Sequence, residues 1–508
     1  MNRSAHRCSN PALLELQLIM ILRSTRIVAI ALLLAGSVVS SGAEGVQPVI
    51  EIPLQNSEFA AGVGIGDLDG DGDFEYLVKV PGGNLDPYFH HGNLIDDTFK
   101  LEAYDAEKGL LWRYDMGWGI ERGIWYSPVV VYDLDQDGKD EVYARWTDGD
   151  FRTAPKHQVT DADGFLVRLD SQTGEVSARA EWPSDVTPEN YSRNQRHYMC
   201  IAYLDGENPS LIVGRGIYST IRLWAYDKDL KLIWKWCSDD ETEADFSGTC
   251  SHGVRAVDVD GDGRDEISLG TAVVDEYGKG LWTVQKTHPD IHHIADIDPS
   301  NPGLEVFLAM EKHNPNELFV DDVFLLDAAT GTKLWGNGKR AKHVHSTGVC
   351  ADLMPEIPGM ELYCEEKDAR ETWFYTAAGE PIADPVGFGL KGCRGGLVAY
   401  YRTPRQVDLL ESLGEAYFPA DIFERLSRIL VADVLGDWRE EVIAVGGGMI
   451  RVFSNAEATP YTGPNLTDDR YYRTQLATGN WLSGYYYQAQ LSRPIHELVK
   501  LGTQAQGE

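Results

Sequence analysis

The chain has 508 residues, and 79 acidic against 45 basic side chains give it a formal charge of −34. So acidic a surface excludes a nucleic-acid backbone as the partner. The length allows two or three ordinary domains or one large repeat architecture.

Residues 1–43 read as a secretory signal peptide: Arg23 and Arg26 precede the apolar run from Ile27 to Leu34, and Ser41-Gly42-Ala43 offers a small-residue cleavage point. Met20 is a plausible true start. The run is too short to span a bilayer, so a secreted or periplasmic protein, free of the membrane once the signal is cleaved, is expected. Residues 44–500 are expected to form one folded unit and 501–508 a tail. Six cysteines follow the signal, and export permits disulfides; Cys237–Cys250 or Cys350–Cys364 would close short loops.

From residue 50 onward one phrase recurs: a strand, an acidic turn, a second strand. The first three full copies hold Asp67, Asp69, Asp71, Asp73 and Glu75; then Asp133, Asp135, Asp137, Asp140 and Glu141; then Asp258, Asp260, Asp262, Asp265 and Glu266. Alternating carboxylates on a glycine-bent loop direct several oxygens at one point, which suits Ca²⁺ in a structural role. A weaker copy surrounds Asp205. Asp296 to Glu305 and Asp352 to Glu361 carry Pro-Gly instead, and Asp433 to Glu441 is the last.

Between these copies runs a second phrase, strand, small turn, strand, as in Phe324-Leu-Leu-Asp327-Ala-Ala-Thr-Gly331 to Trp335. Each pair of phrases supplies four short strands, one blade of a β-propeller, and no blade can bury both faces alone. The fold class expected is therefore all-β: a single β-propeller with calcium loops in several blades, acting as a monomer. Eight blades are favoured, seven repeats plus a composite closing blade built from Val49 to Ile52 and strands within Tyr471 to Gln490; seven blades is the alternative. Val407 to Arg428 is the one stretch with helical periodicity.

Three phrases resemble the rhamnogalacturonan lyases of polysaccharide lyase family 11: Asp258 to Glu266 with Gly270 to Asp275, Asp296 to Val306, and Ala432-Asp-Val-Leu-Gly-Asp-Trp-Arg-Glu-Glu441. Tyr203-Leu-Asp-Gly with Arg215-Gly-Ile-Tyr218 adds a fourth. The resemblance covers nearly all of residues 55–495. It implies a secreted, calcium-dependent, eight-bladed lyase of an acidic, uronate-containing polysaccharide. The chain departs from that family at Ser346-Thr347-Gly348, where the family carries Gly-Arg-Gly, and at Glu424 to Arg428, where it carries Asn-Gly-Thr-Lys. The family's late tyrosine is matched only by Leu491 or by the nearby Tyr485, Tyr486 and Tyr487, and its accessory N-terminal domain has no counterpart. Ulvan lyases are similar propellers that use Tyr, His and Arg, a set that Tyr198 and Arg215 resemble.

Eliminating across C4–C5 of a uronate needs a cation to neutralise its carboxylate, a base for the C5 proton and an acid for the leaving oxygen. Inner strands of a propeller line its channel, and here they begin with His197-Tyr198, His252, His292-His293 and His345. Tyr198, Arg215, His252 and His345 are the catalytic candidates. His197, His292, His293 and Arg394 are the substrate-binding ones, and the histidines could alternatively hold a transition metal. Trp125-Tyr126 could stack on sugar rings. The competing function is a non-catalytic calcium-binding propeller, similar to FG-GAP repeats, that binds carbohydrate or protein.

Overall fold

The computed structural model describes residues 48–82, 97–121, 123, 125–154, 164–183, 193, 195–284, 288–311, 321–339, 344–352, 354, 357–366, 372–382, 428–454, 461–479, 481, 489–493, 495–498 and 500–501. Residues 1–43, expected to be a signal peptide, lie outside them, as do most of Val407 to Arg428, Cys393 and Arg394. Among the described residues no helix is long and apolar enough to cross a membrane.

The paired phrases do fold as antiparallel sheets in chain order. Among the described residues six sheets have four strands and one has three, beside a small two-stranded ribbon. The first strand of each lies inside: Gly62–Gly66, Val129–Tyr132, His197–Ala202, Cys250–Val257, Pro289–Ala295, Val344–Ala351 and Arg428–Ala432. The first five of these neighbour one another in sequence order up to Val344–Ala351, and Gly62–Gly66 meets Arg428–Ala432 across the ring. This is a propeller. Alternate residues of an inner strand face opposite neighbours, so Tyr198, Cys200 and Ala202 pack toward the next blade while Met199 and Ile201 pack toward the previous one.

The composite closure is built differently from the expectation. Ile50–Pro53 pairs antiparallel with Met449–Phe453 and completes the seventh repeat's own sheet, so no separate closing blade forms from it. Tyr471 is on a helix, Arg470–Leu476, whose N-cap Asp469 accepts from the Tyr472 amide.

That helix stoppers the channel at the end where the acidic loops lie. The Tyr471 hydroxyl donates to the Ile294 carbonyl at 2.9 Å, Tyr472 donates to Glu440 at 2.7 Å, and Arg473 pairs with Asp140. Arg255, buried on the fourth inner strand, donates to Gln475. One short helix thus ties together four different blades.

The second phrase explains how adjacent blades lock. Trp282 closes the fourth sheet, donates its indole N–H to Ala328 O at 2.9 Å and lies over Gly331 in the next blade's turn. Gly331 has φ +68°, and a Cβ there would sit 2.6 Å from the Trp282 ring, so only glycine fits. Trp112, Trp234 and Trp335 make the same indole bond to Ser171, Glu276 and Ala377.

The expected disulfides do not form: Cys200, Cys237, Cys250, Cys350 and Cys364 are free thiols. Cys237 ends the outermost strand of one blade and Cys250 opens the innermost strand of the next. Cys364 is paired in register with Gly348 rather than with Cys350.

Candidate functional site

The acidic loops share one internal geometry. Asp67 accepts from Gly70 and Gly72 amides, Asp133 from Asp137 and Gly138, and Asp258 from Gly261, Asp262 and Gly263. The glutamate opening the next strand reaches back to a loop amide: Glu75 to Leu68, Glu141 to Leu134, Glu266 to Val259. Burial is the main cause that pushes Glu75 and Glu141 up to about 7 and Glu266 to about 8.

Oxygens of Asp67, Asp69 and Asp71 converge, as do those of Asp69, Glu75 and Asp105, of Asp133, Asp135 and Glu141, and of Asp258, Asp260 and Asp262. Asp69 Oδ1, Asp135 Oδ1 and Glu266 Oε1 are buried with no hydrogen-bond donor. An all-oxygen set with orphaned buried carboxylate atoms fits a hard cation.

Asp140 and Asp265 have a different task. Asp140 accepts from the Asp67 amide at 2.7 Å, and Asp265 accepts from the Tyr203 amide at 2.8 Å, each clasping the neighbouring blade. Both also meet the stopper helix, through Arg473 and Arg470. Asp73 and Asp137 are exposed on their loops and outside the convergent groups.

At the opposite end of the channel, where inner strands begin, lies a denser constellation. His252 Nε2 is 3.0 Å from both Asp290 Oδ1 and His288 Nε2, and His288 Nε2 is 3.2 Å from Asp290 Oδ1. His252 stacks on Trp125, ring centroids 4.6 Å apart, and His288 packs against Tyr218 at 4.3 Å. Arg196 Nη1 lies 3.2 Å from His252 Nδ1, and the Tyr218 hydroxyl donates to Glu311 at 2.8 Å.

Tautomers follow from these partners. His288 Nδ1 is 2.6 Å from the Cys250 carbonyl, so it carries the proton and its Nε2 presents a lone pair. A guanidinium can only donate, so His252 Nδ1 accepts from Arg196 and its proton sits on Nε2, between Asp290 and His288. Burial first, then His288, holds His252 well below the usual imidazole range, with Asp290 opposing. The three facing atoms are separated as cis ligands at ~2.1 Å from one cation would be, at ~3.0 Å. A divalent ion bound there would displace the His252 proton.

The histidines named from the sequence do not converge as a group. Among those whose side chains are described, only His252 joins this centre. His197 is buried between the Trp182 indole N–H, 3.0 Å from Nδ1, and Gln195. His292 Nε2 lies 2.9 Å from Ser268 Oγ, and His293 faces the Gly348 carbonyl at 3.3 Å, with burial lowering it to about 3. His345 belongs to the strand Val344–Ala351, but its side chain lies outside the described residues, as does all of Arg394.

Tyr198 packs in the core, donates to the Gly216 carbonyl at 3.1 Å and has its phenol pushed up by burial. It presses on Gly214 so closely that a Cβ there would fall 1.8 Å from its ring. Arg215 is buried too and donates to Pro183 O at 2.8 Å. Trp125 and Tyr126 are buried rather than exposed.

His288, Asp290, Arg196 and Tyr218 were not singled out by the sequence reading. The signal was the run His288-Pro-Asp290 entering a strand, shadowed by the adjacent His292-His293 pair.

The model of the family described as rhamnogalacturonan lyase family 11, C-terminal domain, matches residues 55–388. The chain is 32% identical over 458 residues to the rhamnogalacturonan endolyase YesW of Bacillus subtilis (strain 168), covering 82% of this chain and 70% of that protein. It is 29% identical over 519 residues to the rhamnogalacturonan exolyase YesX of the same organism, covering 90% and 81%. The solved structure of the Bacillus licheniformis rhamnogalacturonan lyase PL11 superposes with a TM-score of 0.73 at 26% identity, over 88% of this chain and 82% of that one.

Proposed function

The chain belongs to rhamnogalacturonan lyase family 11 and is a polysaccharide lyase, and from that premise we propose that it cleaves rhamnogalacturonan by β-elimination at a uronate residue, with calcium. The observation that carries the reading is the His252–His288–Asp290 centre at the strand-start mouth of a propeller whose other end is stoppered. Elimination removes the C5 proton and forms the C4=C5 double bond. The C4–O electron pair leaves with the glycosidic oxygen, which must be protonated.

In this reading the mouth residues divide the work. His252 Nε2 and His288 Nε2 face one point beside Asp290 Oδ1, and an ion there would engage both nitrogens in place of the His252 proton. Asp290 holds both rings in place, and Trp125 keeps water off the buried face of His252. His252, His288 and Asp290 would hold a divalent cation at this mouth, where it supplies charge that stabilises the enolate-like carboxylate. The loops of Asp67, Asp133 and Asp258 would hold further calcium ions that fasten blade turns, a role supported by their orphaned oxygens. Export to the cell exterior or periplasm, supported by the signal-like residues 1–43, and a monomeric state complete the proposal.

The test is incubation of purified protein with rhamnogalacturonan and calcium, following ultraviolet absorbance of the unsaturated uronate product. Folded wild-type protein without signal on rhamnogalacturonan sinks the reading. Signal on ulvan alone would transfer the activity to that polymer.

A further inference from the structure

Two guanidinium groups lie at the same mouth over one tyrosine. Arg193 sits 4.7 Å and Arg196 5.0 Å from the Tyr218 ring centroid, and Arg196 is also 4.2 Å from the Trp125 ring. Neither guanidinium pairs with a carboxylate among the described residues. Arg196 is buried, and its Nε has no hydrogen-bond partner. Arg193 is half-buried.

Two like charges this close to buried surface are unfavourable, and cation–π contacts offset only part of that. Asp290 and Glu311 lie near Tyr218 but pair with neither guanidinium, and an anion bound between the two arginines would give them a direct partner. The platform is rigid, because the Tyr218 hydroxyl is anchored on Glu311 and its ring is packed against His288. Arg215, the residue first expected to meet a carboxylate, is committed to Pro183 O.

We propose that Arg193, with Arg196 behind it on the Tyr218 platform, forms the subsite that grips the carboxylate of the uronate undergoing elimination. The assignment rests on the lyase reading above. A guanidinium fork matches a carboxylate bidentately, which fixes the sugar's orientation as well as its charge. Arg196 Nη1 also touches His252, so a carboxylate held here places the adjoining C5 beside the His252–His288–Asp290 centre. Neutralising that carboxylate makes the C5 proton removable. Arg193 contacts substrate directly, whereas Arg196 positions both the anion and His252.

Two arms test this on the full chain. In the binding arm, galacturonate and galactose are titrated separately and followed by NMR or calorimetry. Wild type should bind galacturonate and not galactose, and Arg193→Gln should lose galacturonate affinity by about tenfold or more, with Arg193→Lys in between. In the turnover arm, Arg193→Gln should raise KM on the acidic polymer while Tm stays at the wild-type value. On methyl-esterified polymer, which presents no carboxylate charge, the gap between variant and wild type should shrink to about twofold or less. Unchanged galacturonate affinity in Arg193→Gln overturns the proposal, and so does an equal loss on acidic and esterified polymer. The binding arm reads the subsite whether or not elimination occurs. Absent turnover in wild type would therefore sink the lyase reading alone.

Discussion

Removing the Arg473 guanidinium should loosen the whole ring. Arg473 lies on the stopper helix and pairs with Asp140, with side-chain exposures of 14% and 6%. In Arg473→Ala the Asp140 carboxylate stays buried and keeps the Asp67 amide, but loses its cation. Breaking one partner of a buried pair costs about 3–5 kcal/mol. Arg473 Nη1 is itself buried without a hydrogen-bond partner, so the cost belongs near the lower end of that range. For a folded unit of about 450 residues the unfolding entropy is ~0.9 kcal/mol per kelvin, which converts this to a Tm lowered by about 3 °C. Differential scanning calorimetry at one fixed scan rate reads it, since unfolding of a large ring can be rate-governed. The double variant Arg473→Ala/Asp140→Ala should lose less than the two single losses added together. A Tm within about 1 °C of wild type, or strict additivity in the cycle, would refute the stopper as a clasp.

Four further outcomes are expected. Trp282→Ala should destabilise by about 3–5 kcal/mol, because it uncovers the Gly331 turn and leaves the Ala328 carbonyl without its donor. A change under ~1 kcal/mol in chemical denaturation would contradict that locking role. Tyr198→Phe should keep full lyase turnover and cost about 1 kcal/mol, since only its bond to Gly216 is lost; abolished turnover in a folded protein would return Tyr198 to the catalytic set. His252→Ala should abolish turnover and also lower Tm, since it empties a buried stack on Trp125 and strips Arg196 and Asp290 of a partner; retained activity in the folded variant would dissociate the mouth centre from the chemistry.

The last outcome concerns pH. Glu75, Glu141 and Glu266 lie at about 7, 7 and 8, above their ordinary 4.5, mainly through burial. A carboxyl raised on folding contributes stability that is complete below its unfolded value and is lost as pH rises through the folded value. Chelator-treated protein should therefore lose Tm between about pH 5 and pH 8, whereas calcium-loaded protein should stay nearly level because the ion favours the ionised carboxylates. Parallel curves with and without chelator would argue against cations in these loops.

Much of the fold was legible because its determinants are local. Each acidic loop bends at a glycine and caps itself with its own first aspartate, as Asp258 does with Gly261 and Gly263, so it reads the same wherever it occurs. The Asp-x-x-Thr-Gly turn is likewise self-contained: Asp327 accepts from Thr330 three residues on. Repetition of such units leaves few architectures open beyond a propeller. The stopper helix was misread because Tyr471 and Tyr472 suit a strand, although Asp469 stood before them as a helix cap.

The site was less legible because it depends on contacts between blades. A histidine at a strand start can face either neighbour, and the ring of surrounding side chains decides its partner. Thus His197 meets Trp182, His292 meets Ser268, and His252 finds His288 and Asp290, 36 and 38 residues later where the next inner strand begins. Asp140 and Asp265 look like loop ligands by spacing, yet serve as clasps because the helix and the preceding blade supply their donors. The sequence by itself therefore determined the repeat, the all-β class and the family. Tertiary structure alone decided which imidazoles converge, which carboxylates clasp and where two arginines share one tyrosine, because each is a meeting of side chains from different blades.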